Sequence, residues 1–168
     1  GLWPVRIAPG QIDQILANLC VNARDAIAGT GRIMIQTQNI TCDNTYRACH
    51  DRVSSGDYVL LTVADTGCGM DAATLTNIFE PFFTTKEVGK GSGLGLATVY
   101  GIVSQNNAFI DVQSAPGRGT TFSIYLSRHS GNSQTCRPGA EANRTQTGNE
   151  TLLLVEDDPA LLKLTEIM

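Results

Sequence analysis

The stretch Gly89-Lys90-Gly91-Ser92-Gly93-Leu94-Gly95-Leu96 sets glycines at alternate positions directly before a helix-like run. This narrows what the surrounding chain can be. Glycine adopts positive φ and lets a ligand come close to the main chain. Successive N–H groups at a helix start form a concavity for anions. A phosphate chain is the natural guest, although a lone glycine run also suits a flexible surface loop. The spacing matches neither the G-x-x-x-x-G-K-[ST] of a P-loop nor a G-x-G-x-x-G dinucleotide turn. A second cluster, Asp65-Thr66-Gly67-Cys68-Gly69-Met70, lies upstream.

The chain has 168 residues, enough for one well-buried domain of roughly 120 to 130 residues and little more. No apolar run approaches the ~18 residues of a membrane span, and no signal peptide is visible. Cys20, Cys42, Cys49, Cys68 and Cys136 form no C-x-x-C pair and have no His at metal-ligand spacing. Reduced thiols in a cytoplasmic protein are therefore expected, with neither a zinc site nor a disulfide framework. A net charge of −4 argues against nucleic acid as a main partner, since phosphate backbones need a basic surface. A single nucleotide needs only local cations.

Residues 11 to 28 read as an amphipathic helix, with Ile12, Ile15, Leu16, Leu19, Ala23, Ala26 and Ile27 at helical spacing and Gly29 to stop it. Asn18, Asn22 and Asp25 form a polar stripe beside that core face. Strands are expected over residues 31 to 38 and 58 to 64, joined by a polar connection over 39 to 57. Asp71 is placed to cap a short helix over Ala72 to Asn77. The segment 79 to 92, rich in Phe, Pro and Gly, fits a lid. A helix over 94 to 105 follows. Strands over 108 to 114 and 120 to 126 then flank Ala115-Pro116-Gly117-Arg118-Gly119, a hairpin signature.

Residues 128 to 150 contain no Leu, Ile, Val, Met or aromatic residue and read as a linker. Thr151 to Asp158 then opens a buried, parallel-type strand ending in acids, followed by Pro159 and a helix-like run to Met168. The chain stops inside an element, as a fragment would.

Two constellations carry chemistry. Taken alone, the Asn18, Asn22, Asp25 stripe suits a solvated helix face. The side-chain oxygen of Asn22 is also a neutral hard ligand, suited to Mg²⁺ held mostly by water and nucleotide phosphates. Asp65, at a strand end before Gly67 and Gly69, either caps a turn or accepts a hydrogen bond from an exocyclic amine such as adenine N6.

In order along the chain stand Asn18-x-x-x-Asn22-Ala23-x-Asp25-Ala26, Asp65-x-Gly67-x-Gly69-Met70, Ile78-Phe79-Glu80-Pro81-Phe82-Phe83-Thr84-Thr85-Lys86 and Gly91-x-Gly93-Leu94-Gly95-Leu96. Together they resemble the asparagine, first glycine, phenylalanine and second glycine boxes of the catalytic ATP-binding domain of bacterial sensor histidine kinases. That domain is of the HATPase type, in the superfamily shared with gyrase, mismatch-repair and heat-shock-chaperone ATPases. Gly117-x-Gly119-Thr120-x-Phe122 is similar to the family's closing hairpin. The resemblance covers roughly residues 7 to 127. It implies an α/β fold, a two-layer sandwich of a mixed sheet with helices on one face, and ATP held between helices and a lid.

By that resemblance Asn22 would ligand Mg²⁺, with Asn18 facing the phosphates. Asp65 would read the adenine amine, Gly67 and Gly69 would admit the base, and Thr120 would lie near it. Phe79, Phe82 and Phe83 would anchor the lid, with Thr85, Lys86 and Lys90 near the phosphates. Gly91, Gly93, Leu94, Gly95 and Leu96 would close over the triphosphate. The reaction implied is transfer of the γ-phosphoryl group to a histidine on a dimerisation domain outside this chain. Neither His50 nor His129 has the context of such an acceptor, so no catalytic residue is expected here and the fragment should not autophosphorylate. The hydrolytic relatives carry a glutamate where this chain has Asn18, and an amide cannot take a proton at neutral pH. That disfavours the alternative of an ATP hydrolase; the other alternative is a nucleotide-responsive interaction module. Where many members have Lys or Arg three residues after the metal asparagine, this chain has Asp25, beside Arg24, so the cation completing the site stays open. The tail resembles the first strand of a response-regulator receiver domain, with Asp157 and Asp158 as its acidic pair. The expected domains are thus 1–127, linker 128–150 and receiver start 151–168.

Overall fold

The computed structural model describes residues 1–43, 54–86 and 91–129. The first helix, α1 (Pro9–Ala26), starts two residues before the expected position. Proline suits a first helical turn because its fixed φ is already helical and the N–H it lacks would have no partner there. The helix buries Ile15, Leu19 and Ala23 in one row. It ends where the Ile27 N–H bonds back to the Arg24 carbonyl.

Strand β1 (Ile33–Cys42) pairs antiparallel with β2 (Gly56–Asp65) along its whole length, from Ile33 opposite Asp65 to Cys42 opposite Gly56. The expected connection over 39 to 57 is therefore strand at both ends. Pairing with β2 satisfies the backbone groups of Asn39 to Cys42, which overrides their polar composition. The short helix α2 (Ala72–Asn77) is capped by Asp71, whose side chain accepts the Thr74 N–H. Helix α3 (Gly95–Gln105) begins one residue after the expected start, with Leu94 as its N-cap, and strands β3 (Phe109–Ser114) and β4 (Thr120–Ser127) form the hairpin.

The sheet order is β1-β2-β4-β3. The two-layer α/β arrangement expected from the sequence is present, but every described ladder is antiparallel rather than mixed. The reason lies in the connections: β1–β2 and β3–β4 each reverse direction, and β4 inserts beside β2 in the opposite sense. On the helix-covered face Leu61, Val63, Phe122 and Ile124 pack against Ile15, Leu19, Val99 and Val103. Ile124 has no exposed surface, and trimming such a side chain to Ala costs about 2–5 kcal/mol. The opposite face carries a smaller cluster of Cys42, Tyr58, Leu60 and Tyr125, with the Tyr58 ring edge-on to Phe109 and to Tyr125.

Of the N-terminal segment, Val5 bridges to Arg128, and the Arg128 guanidinium lies 4.7 Å from the Trp3 ring centre while pairing with Asp57. The expected linker beyond residue 129 and the strand with Asp157 and Asp158 lie outside the described residues. So do His50 and Lys90.

Candidate nucleotide site

A cavity of about 500 Å³ opens between α1, the ends of β2 and β4, and the segment leading into α3. That volume suits a nucleotide-sized ligand. Along α1 it is lined by Asn18, Asn22 and Asp25, whose i, i+4, i+7 spacing puts them on one helix face. At its inner end are Asp65 and Thr120, directly opposite each other in the β2–β4 ladder. Met70, Ile78, Leu96 and Phe122 supply apolar wall between these groups.

The inner end is tied together by short bonds. One Asp65 carboxylate oxygen accepts the Gly67 N–H at 2.7 Å. The Cys68 N–H reaches the Ala26 carbonyl, and the Gly117 N–H reaches the Cys68 carbonyl, so the glycine turn is fastened to both α1 and the hairpin. Gly67 itself does not line the cavity; a Cβ there would sit 2.7 Å from the Ala26 carbonyl oxygen. Its requirement for glycine comes from packing against α1. Gly69 does line the cavity, but at φ +67 it packs closely on the Ala115 and Gly119 carbonyls. The hydroxyl of Ser114 joins these parts, bonding Met70, Gly119 and Thr120.

At the other end the start of α3 meets the asparagines. A Cβ at Gly95 would lie 3.0 Å from Asn18 Oδ1, close enough to push that side chain aside slightly, and in ordinary contact with Asn22 Nδ2 at 3.8 Å. Asn18 donates its amide to the Gln14 carbonyl at 2.9 Å. Leu94, the N-cap of α3, makes no side-chain cap bond, and its own N–H goes to the Ser92 hydroxyl at 3.3 Å; the first amides of the helix follow, where the dipole favours anions. Leu94 is 41% exposed and lies outside the cavity lining. Gly91, Gly93 and Thr85 line it.

Lys86 lines the cavity and pairs with Asp25 at 2.7 Å, while Arg24 binds the other Asp25 oxygen at 2.7 Å. The Lys86 ammonium, and next the Arg24 guanidinium, hold the Asp25 carboxyl below the usual carboxylate range. Asp25 thus does not replace the missing cation. It receives one from the segment after Phe83, a pairing that no local spacing reveals.

The phenylalanines divide their roles. Phe79 packs against the core with its ring centre 5.1 Å from that of Tyr100 and tilted 33° to it, and Phe83 lines the cavity. The Phe82 ring is 74% exposed, and this residue contributes its backbone instead, its N–H bonding the Gly93 carbonyl. Gly93 has φ +66, and a Cβ there would run into the Phe82 carbonyl. Thr74 lines the cavity from outside the ordered boxes, and Val21, Met70, Ile78, Thr84 and Ser92 line it from within the boxes although the sequence reading assigned them no role. The apolar ones carry no chemical signature, and only the packing of α1, α2 and the sheet brings them to one wall. Cys68 and Phe122 also line it, from within the glycine turn and the closing hairpin.

Residues 8–130 match the family described as histidine kinase-, DNA gyrase B-, and HSP90-like ATPase, and the chain belongs to that family. Among individual proteins it is 44% identical over 167 residues to the sensor kinase CckA of Brucella abortus, covering 95% of this chain and 18% of that protein. It is 40% identical over 125 residues to the sensor histidine kinase ZraS of Klebsiella oxytoca, covering 74% of this chain and 24% of ZraS. The chain therefore spans about a fifth of the length of these curated relatives (18% and 24%). Among solved structures, full-length ShkA in complex with AMPPNP superposes with TM-score 0.58 at 25% identity over 77% of this chain and 24% of ShkA. The nucleotide-free catalytic domain of histidine kinase ThkA gives 0.57 at 26% identity over 74% of this chain and 70% of that one. The family expected from the four ordered boxes is the family found, and among the described residues no helix is long and apolar enough to cross a membrane.

Proposed function

We propose that this chain is the ATP-binding catalytic part of a hybrid sensor histidine kinase, which positions Mg²⁺-ATP for transfer of its γ-phosphoryl group to a histidine on a dimerisation domain outside these residues. The observation that carries the reading is the carboxylate inventory of the cavity. Among the described residues, its lining holds two carboxylates, Asp25 and Asp65. Asp25 is paired with Lys86 and Arg24 and lowered in pKa, which makes it a poor base. Asp65 lies at the inner end, bonded to Gly67. Asn18, at the position of the hydrolytic relatives' glutamate, is an amide with its N–H₂ bonded to its own helix. Among the described residues of the lining, none is suited to activate water.

Neutral imidazole needs no such base, since its unprotonated nitrogen is already a nucleophile. In the transfer the bond from the γ-phosphorus to the bridging oxygen breaks, the N–P bond forms, and ADP leaves. This chain's own groups bind and orient. Asp65 and Thr120 take the base, and Lys86, Gly91, Gly93 and the first amides of α3 take the phosphates. Asn18 and Asn22 stand where the phosphate chain would reach α1. The donor set fits Mg²⁺: the Asn22 side-chain oxygen is a neutral hard ligand, and no three His, Cys, Asp or Glu side chains cluster among the described residues, so water and phosphate oxygens would fill the remaining positions. When bound with ATP, the ion offsets negative charge on the phosphates.

Residues 128–150 are read as a linker and 151–168 as the start of a receiver domain with acidic pair Asp157 and Asp158, making that domain a further partner. The likeness to CckA supports continuity of this tail with the kinase, since it extends over 95% of the chain. The cytoplasm is the compartment this reading implies, in keeping with free Cys20, Cys42 and Cys68. The test is to incubate the full-length protein with γ-labelled ATP and Mg²⁺. Acid-labile, base-stable label on the protein is expected. Release of free phosphate without protein labelling would establish the hydrolase instead, and nucleotide binding with neither outcome would establish the interaction module.

A further inference from the structure

Resting on the nucleotide reading above, we propose that Ser114 is a positioning residue that makes the base end of the cavity select a 6-amino purine over a 6-oxo purine. Ser114 does not line the cavity. Its hydroxyl oxygen sits 2.8 Å from the Met70 nitrogen, 2.9 Å from the Gly119 carbonyl oxygen and 2.9 Å from Thr120 Oγ1. A hydroxyl has one proton and two acceptor lone pairs. The Gly119 carbonyl can only accept, so it takes the Ser114 proton. The Met70 N–H can only donate, so it occupies one lone pair. The contact with Thr120 is then a bond only if Thr120 donates to the remaining lone pair.

That count fixes the direction of the Thr120 hydroxyl. Thr120 is 5% exposed and lines the cavity opposite Asp65, and with its proton committed to Ser114 it offers a ligand lone pairs only. Asp65 as a carboxylate also offers lone pairs only. Both groups are acceptors where they meet the base. An exocyclic amine at position 6 has protons for such an edge, whereas a carbonyl oxygen there meets acceptors without a proton between them, and unmatched polar atoms in a partly buried site discriminate between ligands. Removing Ser114 Oγ frees the Thr120 proton, which can then turn to a carbonyl oxygen.

The experiment is calorimetry of the chain with ATP and with ITP, both with Mg²⁺. Wild type binds ATP more tightly than ITP. In Ser114→Ala the preference narrows about fivefold, the worth of one neutral hydrogen bond, and it narrows through tighter ITP binding. A merely structural role would weaken both nucleotides in parallel, and that result overturns the proposal, as does an unchanged ratio. In a Thr120→Val background, where no hydroxyl remains to orient, Ser114→Ala leaves the ratio unaltered; a further narrowing there also overturns it. Should Ser114→Ala fail to fold, Ser114→Cys, whose thiol accepts and donates weakly, shows the same narrowing to a smaller extent, and parallel loss again counts against the idea. Wild type that binds neither nucleotide refutes the functional reading itself, an outcome distinct from wild type that prefers ATP with a ratio indifferent to Ser114.

Discussion

The two ends of the cavity are built from different interactions. At the base end, Asp65, Gly67, Cys68, Met70, Ser114 and Gly117 are joined by hydrogen bonds of 2.7 to 2.9 Å, most of them involving main-chain groups of paired strands or tight turns. At the proposed phosphate end, Lys86 and Asp25, both partly exposed, form an ion pair between the segment after Phe83 and α1. Exposed ion pairs contribute little and are screened by salt, whereas satisfied bonds in a dry network hold one geometry. On the proposed reading, the base end is a fixed template for recognition. On the same reading, the phosphate end is held by charges that a triphosphate and its cation would re-pair.

The sharpest way to break this comparison is Asp65→Asn, which puts a donor into an edge of acceptors while the fold stays intact. ATP affinity measured by calorimetry should fall about a hundredfold, the effect of losing a charged hydrogen bond and leaving a mismatched donor. An unchanged affinity would remove Asp65 from the site. Next in size is Gly93→Ala, which sets a Cβ against the Phe82 carbonyl at φ +66. Backbone strain of this kind should weaken ATP by about tenfold but leave adenosine, which lacks phosphates, little changed in competition binding. Equal losses for both would mean that the two ends are not separable.

Lys86→Gln should weaken ATP by about fivefold at low salt, in line with loss of one charge-assisted contact, and flatten the decline of affinity with ionic strength. A slope as steep as wild type would assign the phosphate charge to another cation. The smallest effect concerns pH. The Asp25 pKa is lowered by Lys86 and Arg24, so whatever its pairing contributes is present above the ordinary carboxylate range and is lost only as pH falls through the lowered folded value. ATP affinity in Asp25→Asn and wild type should therefore run parallel from neutral pH down to that range. Divergence nearer neutrality would show that Asp25 titrates unpaired.

Much of the fold was legible because its elements announce themselves locally. The row Ile15, Leu19, Ala23 has helical period, Asp71 stands at a helix start, and Gly117 and Gly119 mark a turn. The extension of β1 to Cys42 was not legible, since Asn39 and Thr41 look like loop until the β2 register claims them. The site divides the same way. Asn22, Asp65 and Gly95 stand in ordered boxes and proved to line one cavity. Gly67 and Phe82 act through main-chain contacts with segments distant in sequence, which no local pattern announces.

By itself the sequence determined which chemical groups are available and in what order: glycines before a helix, asparagines on one helix face, a carboxylate at a strand end, and no glutamate at position 18. These follow from side-chain chemistry and short-range periodicity, which need no knowledge of the rest of the chain. Only the tertiary structure decided that Lys86 pairs with Asp25, that Phe122 and Met70 wall the cavity, and that Ser114 meets Met70, Gly119 and Thr120 with a single proton to give. Such contacts join residues far apart along the chain, and their partners exist only once the sheet and helices have packed.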